Sequence, residues 1–156
     1  MQLMCEGHTL DMQNLMRTQH IHGSAVSINL LAQSIDLLSV MVESSATLRR
    51  FDEMDVNAAE ACLNFLIEAL QGPCPDNQLF VVTHMSPAPA IEVCKQIIPS
   101  PFSKTYSKDT KLRFQGCAVK FLAACLEGRR DSRCHDTLAE LVEADMIRVC
   151  RQTIIK

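Results

Sequence analysis

Between Ala25 and Val42 the apolar residues Ile28, Leu31, Ile35, Leu38 and Val42 recur at i, i+3, i+7, i+10 and i+14. That spacing puts them on one face of a helix. Leu30, Leu37 and Met41 widen the stripe, and a helix apolar around so much of its circumference needs covering on two sides. The chain must therefore supply other helices to do the covering. Val56, Ala59, Leu63, Leu66, Ile67 and Leu70 stripe a second long segment. Phe114, Ala118, Phe121, Leu122, Cys125 and Leu126 stripe a third, over 112–127.

The breaks between these segments are legible. Residues 1–6 read as the tail of a helix ended by Gly7, a residue suited to the left-handed cap. Thr9 stands as N-cap of a short helix with Asp11 in its first turn and Arg17 in its last, the charge order the helix dipole favours. Ser24 is the expected cap of the first long helix and Asp55 of the second. The second stops at Gln71-Gly72-Pro73, and Pro75 opens the next helix at N1, so that Gly72-Pro73-Cys74 is a tight helix–helix turn. Short helices are expected over 76–85 and 90–98, and Ser132 caps a final helical pair. The polar stretch 44–54 is expected to be a loop with one short helical turn, and Pro99–Asp109 a loop. No segment of useful length alternates with strand period, and no sequence repeat is visible. The fold expected is all-α, a solenoid-like stack of antiparallel helical hairpins (armadillo-like), with residues 1–156 as a single domain.

Composition narrows the function classes. Hydrophobic residues make up 47% of the chain but aromatics only 4%, with no Trp, so the core is built from Leu, Ile, Val, Ala, Met and Cys. A net charge of −3 argues against a nucleic-acid surface, which needs a basic face. No run reaches the length of a membrane span, and the N-terminus lacks the order of a signal peptide. A soluble, cytosolic segment without membrane insertion is expected. Eight cysteines without C-x-x-C read as reduced thiols.

The constellations that carry chemistry are weak. Cys5 and His8, with His20 and His22, can be drawn as a zinc site. Gly7 breaks the helix between the first two, however, and there is no second cysteine pair to complete four ligands. No metal and no cofactor are expected. Cys134, His135 and Asp136 are neighbours in sequence, and consecutive residues on a helix point in different directions. There is no phosphate loop, nucleophile elbow or zinc-protease motif, so no catalytic residue is assigned and no enzyme is expected. Arg129, Arg130 and Arg133 read as a rim of surface ion pairs.

The densest polar group is in the opening helix. Gln13 and Arg17 share a face, and Asn14 lies beside them. Buried amides must be hydrogen-bonded. The expected arrangement is a polar seam tying this helix to the turn at Gly72-Pro73-Cys74 with Asn77-Gln78, such that Asn14→Ala unfolds the domain at markedly lower denaturant.

The opening motif is carried by Leu3, Cys5, Glu6, His8, Gln13, Asn14, Arg17 and Gln19. It resembles the start of the associated homology domain of the inositol trisphosphate and ryanodine receptors, the large intracellular calcium-release channels. Gln71, Gly72, Pro73 and Cys74 with Asn77 and Gln78 resemble that domain's second hallmark. Ile28-Asn29-Leu30-Leu31 through Glu43-Ser44 and Leu126-Glu127-Gly128 are similar to the ryanodine receptors, and Arg130-Asp131-Ser132 to the inositol trisphosphate receptors. Segment 44–54 lacks the Gly-rich or aromatic-rich stretch of either, and 86–109 matches neither. The resemblance implies a helical block on the cytosolic face of the endoplasmic reticulum or another calcium store. It would be excised from a much longer homotetrameric polypeptide, with the channel's other domains and subunits as partners. It would pass conformational change from the ligand-binding region to the pore. Two other readings stand beside it. One is a stand-alone scaffold that holds a partner protein in an exposed Met-rich or Leu-rich groove, to which Met4, Met12 and Met16 point. The other is a thiol sensor at Cys5, Cys74 or Cys134, which needs a low-pKa thiol.

Overall fold

A computed structural model of the chain describes residues 7–19, 27–43, 45–84, 90–99, 107–130 and 132–141. Those residues form eight helices and no strand: α1 (Leu10–Arg17), α2 (Leu30–Met41), α3 (Ser45–Leu48), α4 (Glu53–Leu70), α5 (Pro75–Thr83), α6 (Ala90–Ile97), α7 (Lys108–Leu126) and α8 (Ser132–Leu141). The all-α expectation holds for them. The second half of the expected final pair, 142–156, lies outside the described residues, as do Cys5, Glu6, His20, His22 and Ser24.

Three helix starts differ from the sequence reading, each for a local reason. The first long helix begins at Leu30, where the Asn29 side chain accepts from the Ala32 N–H at 3.0 Å. Ile28 therefore precedes the helix and is 59% exposed, and Leu37 is 53% exposed. The buried face is Leu31, Ser34, Ile35, Leu38 and Ser39, a single core-facing stripe rather than the two-sided one expected. In α4 the N-cap is Asp52 and not Asp55. Asp52 accepts from the Asp55 N–H at 2.9 Å, and the Asp55 carboxylate accepts from the Asp52 N–H at 2.9 Å. This reciprocal box satisfies two N–H groups that the first turn would otherwise leave open. Asp52→Ala is expected to cost about 1 kcal/mol, read as a lower urea midpoint with an unchanged denaturant slope. The helix α7 starts at Lys108, capped by Ser107, whose hydroxyl accepts from the Thr110 N–H at 3.0 Å. Its first turn is polar, so the apolar stripe that begins at Phe114 hides the start.

One apolar cluster runs from Met16 to Leu138. The 18-residue α4 packs against both α2 and α7, and α7 also touches α5, α6 and α8. Buried Ala59, Ala69, Ala118 and Ala124 are small enough to let long helices approach closely. The short helix α1 sits against α2, α4 and α5. That position brings its polar face to the ends of longer helices. Among the described residues no helix is long and apolar enough to cross a membrane.

Candidate functional site

A helix leaves its last four carbonyls without partners inside the helix. In α4 these belong to Ile67, Glu68, Ala69 and Leu70, and all four are satisfied. Ile67 accepts from the Gln71 N–H at 2.9 Å, and Leu70 from the Cys74 N–H at 3.0 Å, both by the local turn. The other two are reached from a distance in sequence. Gln13 Nε2 donates to the Glu68 carbonyl at 2.8 Å and to that of Gln71 at 2.7 Å. Asn77 Nδ2 donates to Ala69 at 3.0 Å and to Gln13 at 2.9 Å. Gln13, Asn77 and Gln78 are each 0% exposed, so the donor end of each of these bonds lies away from solvent competition.

Arg17 closes the seam on its outer side. Its Nε donates to Asn77 Oδ1 at 2.9 Å, and its Nη2 to Asn14 Oδ1 at 3.2 Å and Asp76 Oδ2 at 3.4 Å. The Asn77 carboxamide is thereby fully used, with two carbonyls on its nitrogen and a guanidinium on its oxygen. Asn14 is half-buried and, among the described residues, its side chain only accepts, from Arg17 and, at 3.7 Å, from the Cys74 thiol. The decisive members of the seam are therefore Gln13 and Asn77. Asn14 holds an edge, because its place on α1 turns it toward Arg17 and not toward the end of α4. Asn77→Ala is expected to cost about 2–3 kcal/mol, because it orphans two buried carbonyls and strips Arg17 of an acceptor. Asn14→Ala costs less than half of that. The ratio of the two losses in urea unfolding checks the assignment.

The turn glycine is held by contact as well as by conformation. Gly72 has φ +90°, and a Cβ added there would lie 2.3 Å from His8 Cβ and 2.8 Å from Nδ1 of the same ring. His8 is itself left-handed, at φ 53°. Its Nε2 stands 3.8 Å from Glu68 Oε2. Gln19 makes a smaller staple at the other end of α1. Its Oε1 accepts from the Ile28 N–H at 2.7 Å and from the Ser27 hydroxyl at 3.2 Å, while its Nε2 donates to the Leu15 carbonyl.

Gln78 turns away from this seam and makes another. Its Nε2 donates to the Ala124 carbonyl at 2.8 Å and the Glu127 carbonyl at 2.9 Å, at the end of α7. The turn there contains Gly128, at φ +68°, where a Cβ would meet Pro73 Cγ at 2.7 Å. Arg129 Nη1 donates to the Pro75 carbonyl at 2.7 Å. Sequence reading placed Gln78 with the first seam and missed Ala124, Glu127 and Gly128 as its counterparts. Their contribution is main-chain, and a carbonyl leaves no mark on residue type. In both glutamines the two carbonyl partners fix which amide atom is nitrogen. The oxygens, Gln13 Oε1 and Gln78 Oε1, are buried without a partner among the described residues.

This chemistry is positional. Amides donating to main-chain carbonyls transfer no protons at neutral pH, and among the described residues no group of three metal-binding side chains comes together. The thiol-sensor reading fails at its two describable residues: Cys74 and Cys134 are buried, and burial pushes the Cys74 thiol up. Cys117 is likewise pushed up to about 11 by burial. Native alkylation of Cys74, Cys117 and Cys125 is expected to be slow until the chain is unfolded, which peptide-resolved mass spectrometry reads directly. Of the three methionines of the groove reading, Met16 is buried, Met12 is half-buried and Met4 lies outside the described residues. A family model described as RyR and IP3R Homology associated matches residues 1–98, a span that contains the whole first seam.

Proposed function

The chain belongs to the RyR and IP3R Homology associated family. On that premise we propose that it is a cytosolic block of an intracellular ligand-gated calcium-release channel of the inositol trisphosphate or ryanodine receptor type, carrying displacement from the ligand-binding region toward the pore. The parent is a homotetramer in a calcium-store membrane, and this block is one armadillo-like domain of it. Its partners are the channel's other domains and subunits.

The observation that carries the transmission is the double clamp on the helix ends. A block passes on movement only if its helices do not slide past one another, or slide between discrete packings. Gln13 ties α1 to the end of α4, and Gln78 ties α5 to the end of α7, by two hydrogen bonds each. Sliding either pair by one residue breaks both bonds and leaves the buried amide nitrogens of Gln13 and Gln78 without acceptors, each at about 1–3 kcal/mol. Such a block has a steep energy wall against shear.

The test has two stages. An antibody against this chain should detect, in internal-membrane fractions, a polypeptide far above 17.4 kDa. A band only at 17.4 kDa in the supernatant removes the channel. In the long polypeptide, Asn77→Ala should leave ligand binding intact and abolish ligand-evoked calcium release from stores. Unchanged release removes the transmitting role.

A further inference from the structure

The helix α2 is apolar around more of its circumference than its neighbours bury. Helices α1, α4 and α6 touch it. Its outward residues Gln33, Leu37 and Val40 stand one above another, at i, i+4 and i+7. A solvated helix face carries polar or charged residues, yet Leu37 is 53% exposed and Val40 70%.

Toward the C-terminal end of α2 this stripe runs into an open groove of about 420 Å³ between α2 and α6. Buried Val42 and Val93 line it, and Val40 joins it to the stripe. The charged residues lining it are both acidic, Glu43 from the end of α2 and Glu92 from α6. Lys95 of the same helix holds Glu92 at 3.1 Å. Glu43 is exposed and has no ion pair among the described residues. The last turn of α2 carries no basic residue either, so the partial negative charge of that helix end adds to the carboxylate. Apolar surface and negative charge therefore lie side by side, and the charge is unanswered.

We propose that this face of α2 is a docking surface for a basic amphipathic helix. The apolar side of that helix lies along Leu37 and Val40 and sends a side chain into the groove at Val42 and Val93. A lysine or arginine one turn away reaches Glu43 and the end of α2. The shape suits a helix because the apolar surface continues along α2 from the groove instead of closing around it. The charge disfavours two other occupants. A second copy of this chain docked about a two-fold axis sets acidic rim against acidic rim, and an anionic lipid surface meets the same repulsion. Where the helix is encoded rests on the channel reading, which puts it elsewhere in the same polypeptide.

The test is site-specific photocross-linking in cells that make the protein at its natural length. Benzoylphenylalanine replaces the exposed Val40, and for a control it replaces the exposed Met54. The adduct peptide from position 40 should carry apolar residues at helical spacing with a lysine or arginine one turn away, and the control should not yield it. Glu43→Lys sets like charges together and should lower that adduct roughly tenfold. Leu37→Ser should lower it as well. Both substitutions fall on exposed side chains, where the fold tolerates change. Placing glutamate at the basic residue of the adduct peptide should then restore the yield in the Glu43→Lys background. Adducts to residues of this chain or of a second copy, adducts without the basic residue, yields no stronger than the control or indifferent to both substitutions, or a charge swap that restores nothing, each overturn the docking surface. The same adduct from a separate polypeptide upholds it and overturns the channel reading instead.

Discussion

Gly72→Ala is expected to destabilise the chain by about 3 kcal/mol or more. Two costs add. A left-handed φ of +90° charges any residue with a Cβ about 1–2 kcal/mol. The new methyl also lies 2.3 Å from His8 Cβ, and relieving such an overlap in a packed turn costs about 1–3 kcal/mol. For a chain of 156 residues this lowers the melting temperature by about 6–12 °C. Gly7→Ala isolates the first cost, since the same φ there meets open space among the described residues. The offending atom at position 8 is a Cβ, so His8→Ala does not relieve the overlap. His8→Gly does, and it also suits the φ of 53°. The double variant should therefore recover more than half of the loss. Equal losses for Gly72→Ala and Gly7→Ala, with no recovery in the double variant, would mean that the ring contact carries no energy.

Gln78→Glu is the second large effect. The position is fully buried and its amide nitrogen faces two carbonyls. A carboxylate there meets two acceptors with no donor, and a buried unpaired charge costs about 3–5 kcal/mol. Gln78→Met keeps the volume and only orphans the carbonyls, for about 2 kcal/mol. The two variants also differ in pH response. Burial raises the folded-state pKa of the introduced carboxyl above its ordinary value of about 4.3. The glutamate variant is then closest to wild type below that value and loses stability as pH rises through the raised one. The methionine variant shows no such slope. Chemical denaturation of both variants from acid to neutral pH separates the two costs, and a flat profile for the glutamate variant would place the side chain in water.

Most of the helix inventory was legible because apolar stripes and Gly-Pro punctuation act locally. Leu63, Leu66 and Leu70 mark α4 by period, and Pro75 marks the start of α5 by its fixed φ. The starts were less legible. Asp52 and Asp55 are both good caps, and only the three-dimensional box shows which one leads. Within the seam, Gln13 and Arg17 were foreseeable as polar residues sharing one face of α1, and Asn77 as a partner at the facing turn. That Gln78 serves the end of α7 was not, because its partners are the carbonyls of Ala124 and Glu127, and nothing in an alanine or a glutamate announces a receiving carbonyl.

That last point has a consequence for how such a chain tolerates change. The clamps constrain one side only. Glu68, Gln71 and Glu127 lend their backbones, and their side chains do not enter the bonds. A library that randomises those three positions should return folded variants of nearly every polar type, while one that randomises Gln13 and Gln78 should return glutamine almost alone. Coupled substitutions across the seam will then be rare even though its two halves are in direct contact, and methods that find neighbours by paired change will pass over the tightest joints in the molecule.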